Sequence, residues 1–256
     1  MSGSSEPRCK LAQCQMAQDG MKILSWNIRQ GGGRQTERIT DAIIGHGPDV
    51  VVLTEYQPER GPLLRSAFES HGLHHIDATA PGPKRNGVLI AARAPFVRRS
   101  PPADIGAFEG RWLEVEFPKK QFALAGVYLP DKKPGLVPFW KLIHAAAEQR
   151  RAGHFLFVGD FNTGHTPLDA ENDAFSCDCY FTGMGMLGFT ELWRHRHRGK
   201  LEYTWYSNNR GRRNGFRIDH AFASAGMLRR IRGCEYSHRE REAGLSDHSA
   251  LLVEVR

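Results

Sequence analysis

No apolar run in the sequence approaches the length of a membrane span, and residues 1–20, a mixture rich in Ser, Gln, Lys, Arg and Glu, lack the apolar stretch of a secretory leader. The expected setting is therefore the cytoplasm. Cysteine is sparse: Cys9, Cys14, Cys177, Cys179 and Cys234 are odd in number and form no C-x-x-C pair. Neither a disulfide framework nor a structural zinc site is indicated, and a reducing compartment fits. The 12 histidines include no H-E-x-x-H or comparable ligand spacing, which again turns away from zinc. Repeats, long low-complexity tracts and Pro/Gly/Ser linkers are also missing. The 256 residues are expected to divide into a disordered tail over 1–20 and a single domain over 21–256.

Positive charge is what the chain has in excess: 35 Lys and Arg against 28 Asp and Glu, a formal +7. That balance suits an anionic partner such as nucleic acid or a phosphorylated membrane surface, although charge of this size also serves solubility alone. Motifs must decide between the two.

From Met21 onward, short apolar runs bounded by Gly, Pro and Asp predict buried strands. They fall at Met21–Ile28, Asp49–Thr54, Gly87–Ala92, Trp112–Phe117, Phe122–Tyr128, Phe155–Asp160, Phe216–Ala223 and Ala250–Val255. Helical spacing predicts helices over Thr36–His46, Gly61–Ser70 and Phe139–Arg151. Strands outnumber helices without regular βα alternation, so packed sheets with helices outside are expected.

Polar residues cluster at the ends of these runs. Asn27 and Glu55 close two strands, Asp160 and Asn162 follow Phe155-Leu-Phe-Val-Gly, and Arg217-Ile-Asp219-His and Ser246-Asp-His248 add two more acids and two imidazoles. Any one of them could simply cap a helix or order a turn. Together they match the needs of phosphodiester hydrolysis: a Lewis acid, a positioned water and donors for the phosphorane oxygens. Carboxylate ligands favour Mg²⁺, with Mn²⁺ as a substitute, and Mg²⁺ needs few protein ligands because it keeps several waters.

Seven segments, Ser25-Trp-Asn27, Leu53-Thr-Glu55, Val127-Tyr-Leu-Pro130, Gly159-Asp-Phe-Asn162, Thr204-Trp-Tyr206, Arg217-Ile-Asp219 and Ser246-Asp-His248, resemble in order and spacing the endonuclease/exonuclease/phosphatase superfamily, and within it the exonuclease III and abasic-endonuclease branch. The resemblance implies a four-layer α/β sandwich, two mixed β-sheets flanked by helices, with the site at one rim. It implies that Glu55 binds the metal with Asn27 hydrogen-bonded beside it and Asp247 as a further ligand or outer acid. Asp160 would deprotonate the attacking water and Asn162 would help place it. Tyr128 would contact the phosphate, and Asp219 would hold His248 against a phosphate oxygen. The branch also implies a pocket for a base-free sugar, formed here by Trp205, Phe216 and Ile218; the same three would equally serve as core residues of a strand pair.

The expected substrate is DNA, double-stranded with abasic or damaged sites, cut by an abasic-site endonuclease with 3′-5′ exonuclease or 3′-end trimming as a companion activity. Asn208–Gly215, carrying Arg210, Arg212 and Arg213, reads as a basic glycine-rich loop for the phosphate backbone. Lys84, Arg85, Lys132 and Lys133 add positive loops. Trp193 leads a basic run to Arg198 and could wedge into a groove, or the run could be a solvated loop. Superfamily phosphodiesterases and phosphatases acting on RNA, nucleotides or lipid heads remain an alternative, as does a DNA-binding relative without catalysis, against which the intact acidic set argues. Three departures from the branch stand out. Arg29 replaces an acid or amide and would disfavour a second metal or bind phosphate, Asp131 replaces an amide, and Leu53-Thr-Glu-Tyr56 replaces a Gln-Glu form. The segment Thr163–Gly188, shorter than the branch leads one to expect, contains Cys177-Asp-Cys179.

Overall fold

The computed structural model describes residues 20–82, 85–101, 104–209 and 211–256. Residues 1–19 of the expected tail, Lys84 and Arg210 lie outside these residues.

Apolar residues on both faces of a strand force cover on both sides, and the first two strands show it. In β1 (Met21–Asn27), Ile23 points into one cluster and Leu24 and Trp26 into another; in β2 (Val50–Tyr56), Val50 and Val52 share the first cluster and Val51 and Leu53 the second. The remaining strands are β3 (His75–Ala78), β4 (Gly87–Ala92), β5 (Val97–Arg99), β6 (Trp112–Phe117), β7 (Phe122–Tyr128), β8 (Phe155–Asp160), β9 (Phe189–Glu191), β10 (Trp205–Asn209), β11 (Arg212–Phe216), β12 (Asp219–Ser224), β13 (Ile231–Ser237) and β14 (Ala250–Val255). Two six-stranded sheets result, ordered β13-β14-β1-β2-β4-β3 and β5-β6-β7-β8-β12-β9, with β10 and β11 as a separate hairpin. Each large sheet is mixed, with β1–β2 and β7–β8 parallel and its other pairs antiparallel.

The sheets face each other across a shared core of Ile23, Val52, Ile90, Val115, Leu124 and Val158. Helices α1 (Thr36–Gly45) and α2 (Gly61–Ser70) cover the first sheet through Ile39, Ile43, Leu64 and Phe68. Helices α3 (Lys133–Arg150) and α4 (Asp178–Gly183) cover the second through Phe139, Trp140, Ile143 and Phe181. The expected four-layer sandwich is therefore present. Short helices α5 (Leu192–Arg196), α6 (Ala225–Leu228) and α7 (Arg239–Glu242) fill the connections. Among the described residues, no helix is long and apolar enough to cross a membrane.

Three local expectations change. The strand read over Phe216–Ala223 breaks after Phe216 and resumes at Asp219, because the Arg217 side chain turns into the interior and the Ile218 N–H bonds the Thr204 hydroxyl at 3.1 Å. The basic loop over Asn208–Gly215 is largely hairpin, with Asn208 paired to Arg213. Helix α3 starts at Lys133 instead of Phe139: Pro134 occupies its first turn, where a missing N–H costs nothing, and Pro138 is accommodated in the next.

Candidate active site

Strand register brings the site together. Tyr128 pairs with Asp160 across β7 and β8, and Asp160 pairs with Asp219 across β8 and β12, so three of the expected site side chains stand in a row at one rim of the second sheet. The close approach of β8 to β7 depends on Gly159, at φ 147°, where a Cβ would lie 2.0 Å from the Val127 carbonyl oxygen. On the first sheet Asn27 ends β1, and Glu55 sits in a bulge of β2 between Thr54 and Tyr56 at φ 55°. A bulge re-aims one side chain out of the ladder, and here the one re-aimed is the acid.

The two rims meet through hydrogen bonds. Asn27 Nδ2 donates to Glu55 Oε1 at 3.2 Å and to Asp160 Oδ2 at 3.0 Å. Tyr128 Oη donates to Glu55 Oε1 at 3.3 Å, and the Gln30 N–H donates to Glu55 Oε2 at 2.8 Å. Asp160 Oδ1 accepts the Asn162 N–H at 2.9 Å, while Asn162, itself at φ 46°, donates its Nδ2 to the Leu129 carbonyl at 2.8 Å. His248 Nδ1 lies 3.0 Å from Asp219 Oδ2. The loop carrying His248 is tied to β1 by Ser246 Oγ, donating to the Asn27 carbonyl at 2.6 Å, and by the Trp26 indole, donating to the His248 carbonyl at 2.9 Å.

Burial shapes the titration of these groups. It pushes the Asp160 carboxyl up to about 7, with the Asp219 charge adding to it and His248 opposing. For His248 burial disfavours the imidazolium, but the carboxylates of Asp219 and Asp160 outweigh it and raise the pKa to about 10. Tyr128 is raised by burial and by the Glu55 charge, so its hydroxyl stays a donor. Glu55, Asp160, Asp219 and Asp247 thus set four carboxylates against the His248 imidazole and the Arg111 guanidinium over Tyr128 in this region. Among the described residues, Asp160, Asp219 and His248 form a buried group whose candidate ligand atoms all lie within 4.8 Å of one another. The Asp219 partnership and raised pKa keep His248 protonated at neutral pH, so it is a poor ligand. Glu55 and Asp247 instead offer carboxylate oxygens, the type a hard cation takes, while Asn27 Oδ1 accepts the Arg29 N–H at 2.9 Å.

The other expected site residues divide. Trp205 and Phe216 face each other on the hairpin, rings 5.8 Å apart and half-exposed, with Trp205 Nε1 donating to Asp247 Oδ2 at 3.2 Å and its ring 6.4 Å from His248. Ile218 is buried behind them. Arg29, Lys132, Arg212 and Arg213 are exposed, and the Arg213 guanidinium lies 3.6 Å from the centre of the Tyr206 ring. Trp193 does not serve as a wedge: it is 1% exposed, packed among core side chains with Arg217 4.9 Å over its ring. Arg194 from the same basic run is held by Asp169 instead of facing solvent. Cys177 packs in the core beneath α3 while Cys179 is exposed, and both are free thiols.

Sequence reasoning missed Gln30, whose backbone N–H is what holds Glu55, and Arg111, whose guanidinium lies 4.3 Å over Tyr128. It also missed the acids that receive Arg217. Asp169 takes it in two bonds of 2.9 Å, and Glu191 accepts from it at 2.7 Å. A lone Asp in a loop carries no signal of such a partner.

The profile of the endonuclease/exonuclease/phosphatase family matches residues 24–248. A DNA-(apurinic or apyrimidinic site) endonuclease of Dictyostelium discoideum is 24% identical over 268 aligned residues, covering 96% of this chain and 73% of that protein. Recombination repair protein 1 of Drosophila melanogaster is 25% identical over 91% of this chain, which spans 37% of that longer protein. Among solved structures, an AP endonuclease from Archaeoglobus fulgidus superposes with a TM-score of 0.77 at 20% identity, over 91% of this chain and 98% of that one. A 3′ phosphatase from Neisseria, bound to product DNA hairpin, gives 0.77 at 20% identity over 92% and 99%. These structures share the fold. With the profile running from the first strand to the final histidine of the site, this chain belongs to the endonuclease/exonuclease/phosphatase family.

Proposed function

We propose that the protein is a Mg²⁺-dependent DNA phosphodiesterase that cuts double-stranded DNA at abasic sites. The observation that carries this reading is the junction of the two sheet rims, where Asn27 bridges Glu55 and Asp160 and Asp219 holds His248. A phosphate at that junction would meet a metal end, a water end and a proton-donor end. Glu55 and Asp247, with Asn27 hydrogen-bonded beside Glu55, would hold the cation, which when bound supplies Lewis-acid neutralisation of phosphate charge.

Asp160 accepts the proton of the attacking water; a carboxyl raised to about 7 is a stronger base than an ordinary aspartate and still ionised in part at neutral pH. Asn162, anchored through Nδ2, leaves Oδ1 to hold that water in line. The His248 imidazolium and the Tyr128 hydroxyl donate to non-bridging phosphate oxygens as charge builds there. Trp205 and Phe216 supply an apolar wall beside His248 that suits a base-free sugar and gives a normal nucleotide no polar partner. The relatives named for apurinic/apyrimidinic endonuclease and recombination repair support the same substrate class. Because that wall is half-exposed, a 3′-terminal nucleotide is a second substrate for the same chemistry.

The test is incubation with duplex DNA carrying one abasic analogue, intact duplex, recessed 3′ ends, single-stranded RNA and a phosphoinositide, each with Mg²⁺ or chelator. Cleavage of the abasic duplex with Mg²⁺ alone is expected. Selective turnover of RNA or lipid would overturn the DNA reading, and no turnover of any substrate would overturn the enzymatic one.

A further inference from the structure

A cavity of about 690 Å³ opens beside the metal end of the site, bordered by Gln30, Gln57, Arg85, Asn86, Glu109 and Arg111. It shares a wall with the catalytic centre. The Gln30 backbone holds Glu55, and Arg111 lies over the Tyr128 ring while donating to the Tyr128 carbonyl at 3.3 Å. From here a chain of contacts runs through Tyr128, Glu55, Asn27 and Asp160. The apolar wall lies past its other end, where Trp205 meets Asp247 and His248. The scissile phosphate would sit mid-chain, so the strand must leave it in two directions, one toward Trp205 and one toward this cavity.

The lining has the chemistry of a base edge. Three amide side chains, Gln30, Gln57 and Asn86, offer donor and acceptor on one group, the arrangement that pairs with nucleobases. Gln57 Nε2 already donates to Asn86 Oδ1 at 3.1 Å, which orients both amides. Two guanidinia against one carboxylate leave a modest positive balance, suited to a single phosphodiester-linked unit more than to a polyphosphate. The volume falls within the range of small-ligand pockets, about 300–1,000 Å³, and exceeds the need of a sugar alone.

We propose that this cavity binds the nucleotide on the Glu55 side of the scissile phosphate, unstacked, with its base edge against the Gln30, Gln57 and Asn86 amides. The proposal rests on the DNA phosphodiesterase reading above. The enzyme would then hold two unlike units at once, a base-free sugar on the apolar wall and a complete nucleotide in the polar cavity.

The test uses two duplexes with one abasic analogue each. In the first, the neighbour across the scissile phosphate keeps its base; in the second, that neighbour is also base-free. Wild type should cleave the second with a KM about tenfold higher. Ala107→Trp, a filling substitution at an exposed lining residue, and Gln57→Leu should each raise KM about tenfold on the first duplex, with kcat unchanged and no further loss on the second. Unchanged thermal midpoints establish folding for both variants. Equal losses on both duplexes, or none on either, would overturn the cavity assignment while leaving the DNA reading standing. Failure of wild type to cleave either duplex would overturn the reading on which the assignment rests.

Discussion

Two groups of buried charge lie on either side of β12, and they are built on opposite principles. Behind the strand, Asp169 and Glu191 receive Arg217 and Arg194, with His220 and the Tyr236 hydroxyl completing the contacts. Burial resists ionisation of both acids, but Arg217 holds Asp169 below the ordinary range and Arg217 with His220 takes Glu191 down to about 2. At the rim, Asp160 is equally buried yet shares its surroundings with Asp219 and rises to about 7. Two acids against two guanidinia make a finished internal structure. Acids in excess make a site that still asks for positive charge, from a cation, from the His248 imidazolium or from a proton.

The strongest way to break this contrast is Asp160→Ala, expected to reduce single-turnover cleavage about a thousandfold while binding of the abasic duplex stays near wild type. Joint loss of binding and cleavage would move Asp160 to the structural side. Arg217→Ala should do the reverse: leave Glu191 without a guanidinium and Asp169 with Arg194 alone, destabilising the fold by about 3–5 kcal/mol, read by denaturant unfolding, with activity per folded molecule largely kept. A pH profile of kcat/KM sharpens the electrostatic half. Activity should rise about tenfold per pH unit on the acid side until Asp160 is ionised, at or below pH 7 once a cation favours the carboxylate, and fall as His248 loses its proton near 10. Asp219→Asn removes the charge that holds that proton, so the alkaline limb should move to lower pH; an unmoved limb would dissociate His248 from it. Trp205→Ala, the smallest effect, should cost about tenfold in preference for abasic over intact duplex, with metal-dependent cleavage retained.

Five strands, Gly87–Ala92, Trp112–Phe117, Phe122–Tyr128, Phe155–Asp160 and Ala250–Val255, have the bounds their apolar runs predict. Sequence pattern reports them well because burial on both faces leaves an almost unbroken apolar run. The edge strands were illegible for the opposite reason. Val97–Arg99 is exposed throughout, and Ile231–Ser237 buries only Cys234. Such segments are strands by pairing with a neighbour, which a local pattern does not record.

The site followed the same division. Asn27, Glu55, Asp160 and Asp219 were readable because each ends or interrupts an apolar run, and the contacts between Asn27 and Glu55 and between Asp219 and His248 are present. Glu55 belongs to a bulged strand that continues through Tyr56, so its aim comes from backbone geometry that composition does not reveal. Trp193 misled for a related reason. An aromatic beside basic residues suggests a nucleic-acid contact, but its neighbours Arg194 and Arg217 point inward to Asp169, an acid more than twenty residues away in sequence.

The missing side chain at position 159 has a consequence for anyone who varies this protein at random. A substitution there would drive an atom into the Val127 carbonyl and push Asp160 out of line with Tyr128 and Asp219. In a mutational scan that position would score as severely as Asp160 itself, although it has no side chain to offer the chemistry. Intolerance to replacement will therefore trace the outline of the site without distinguishing the atoms that react from the gap that lets them assemble.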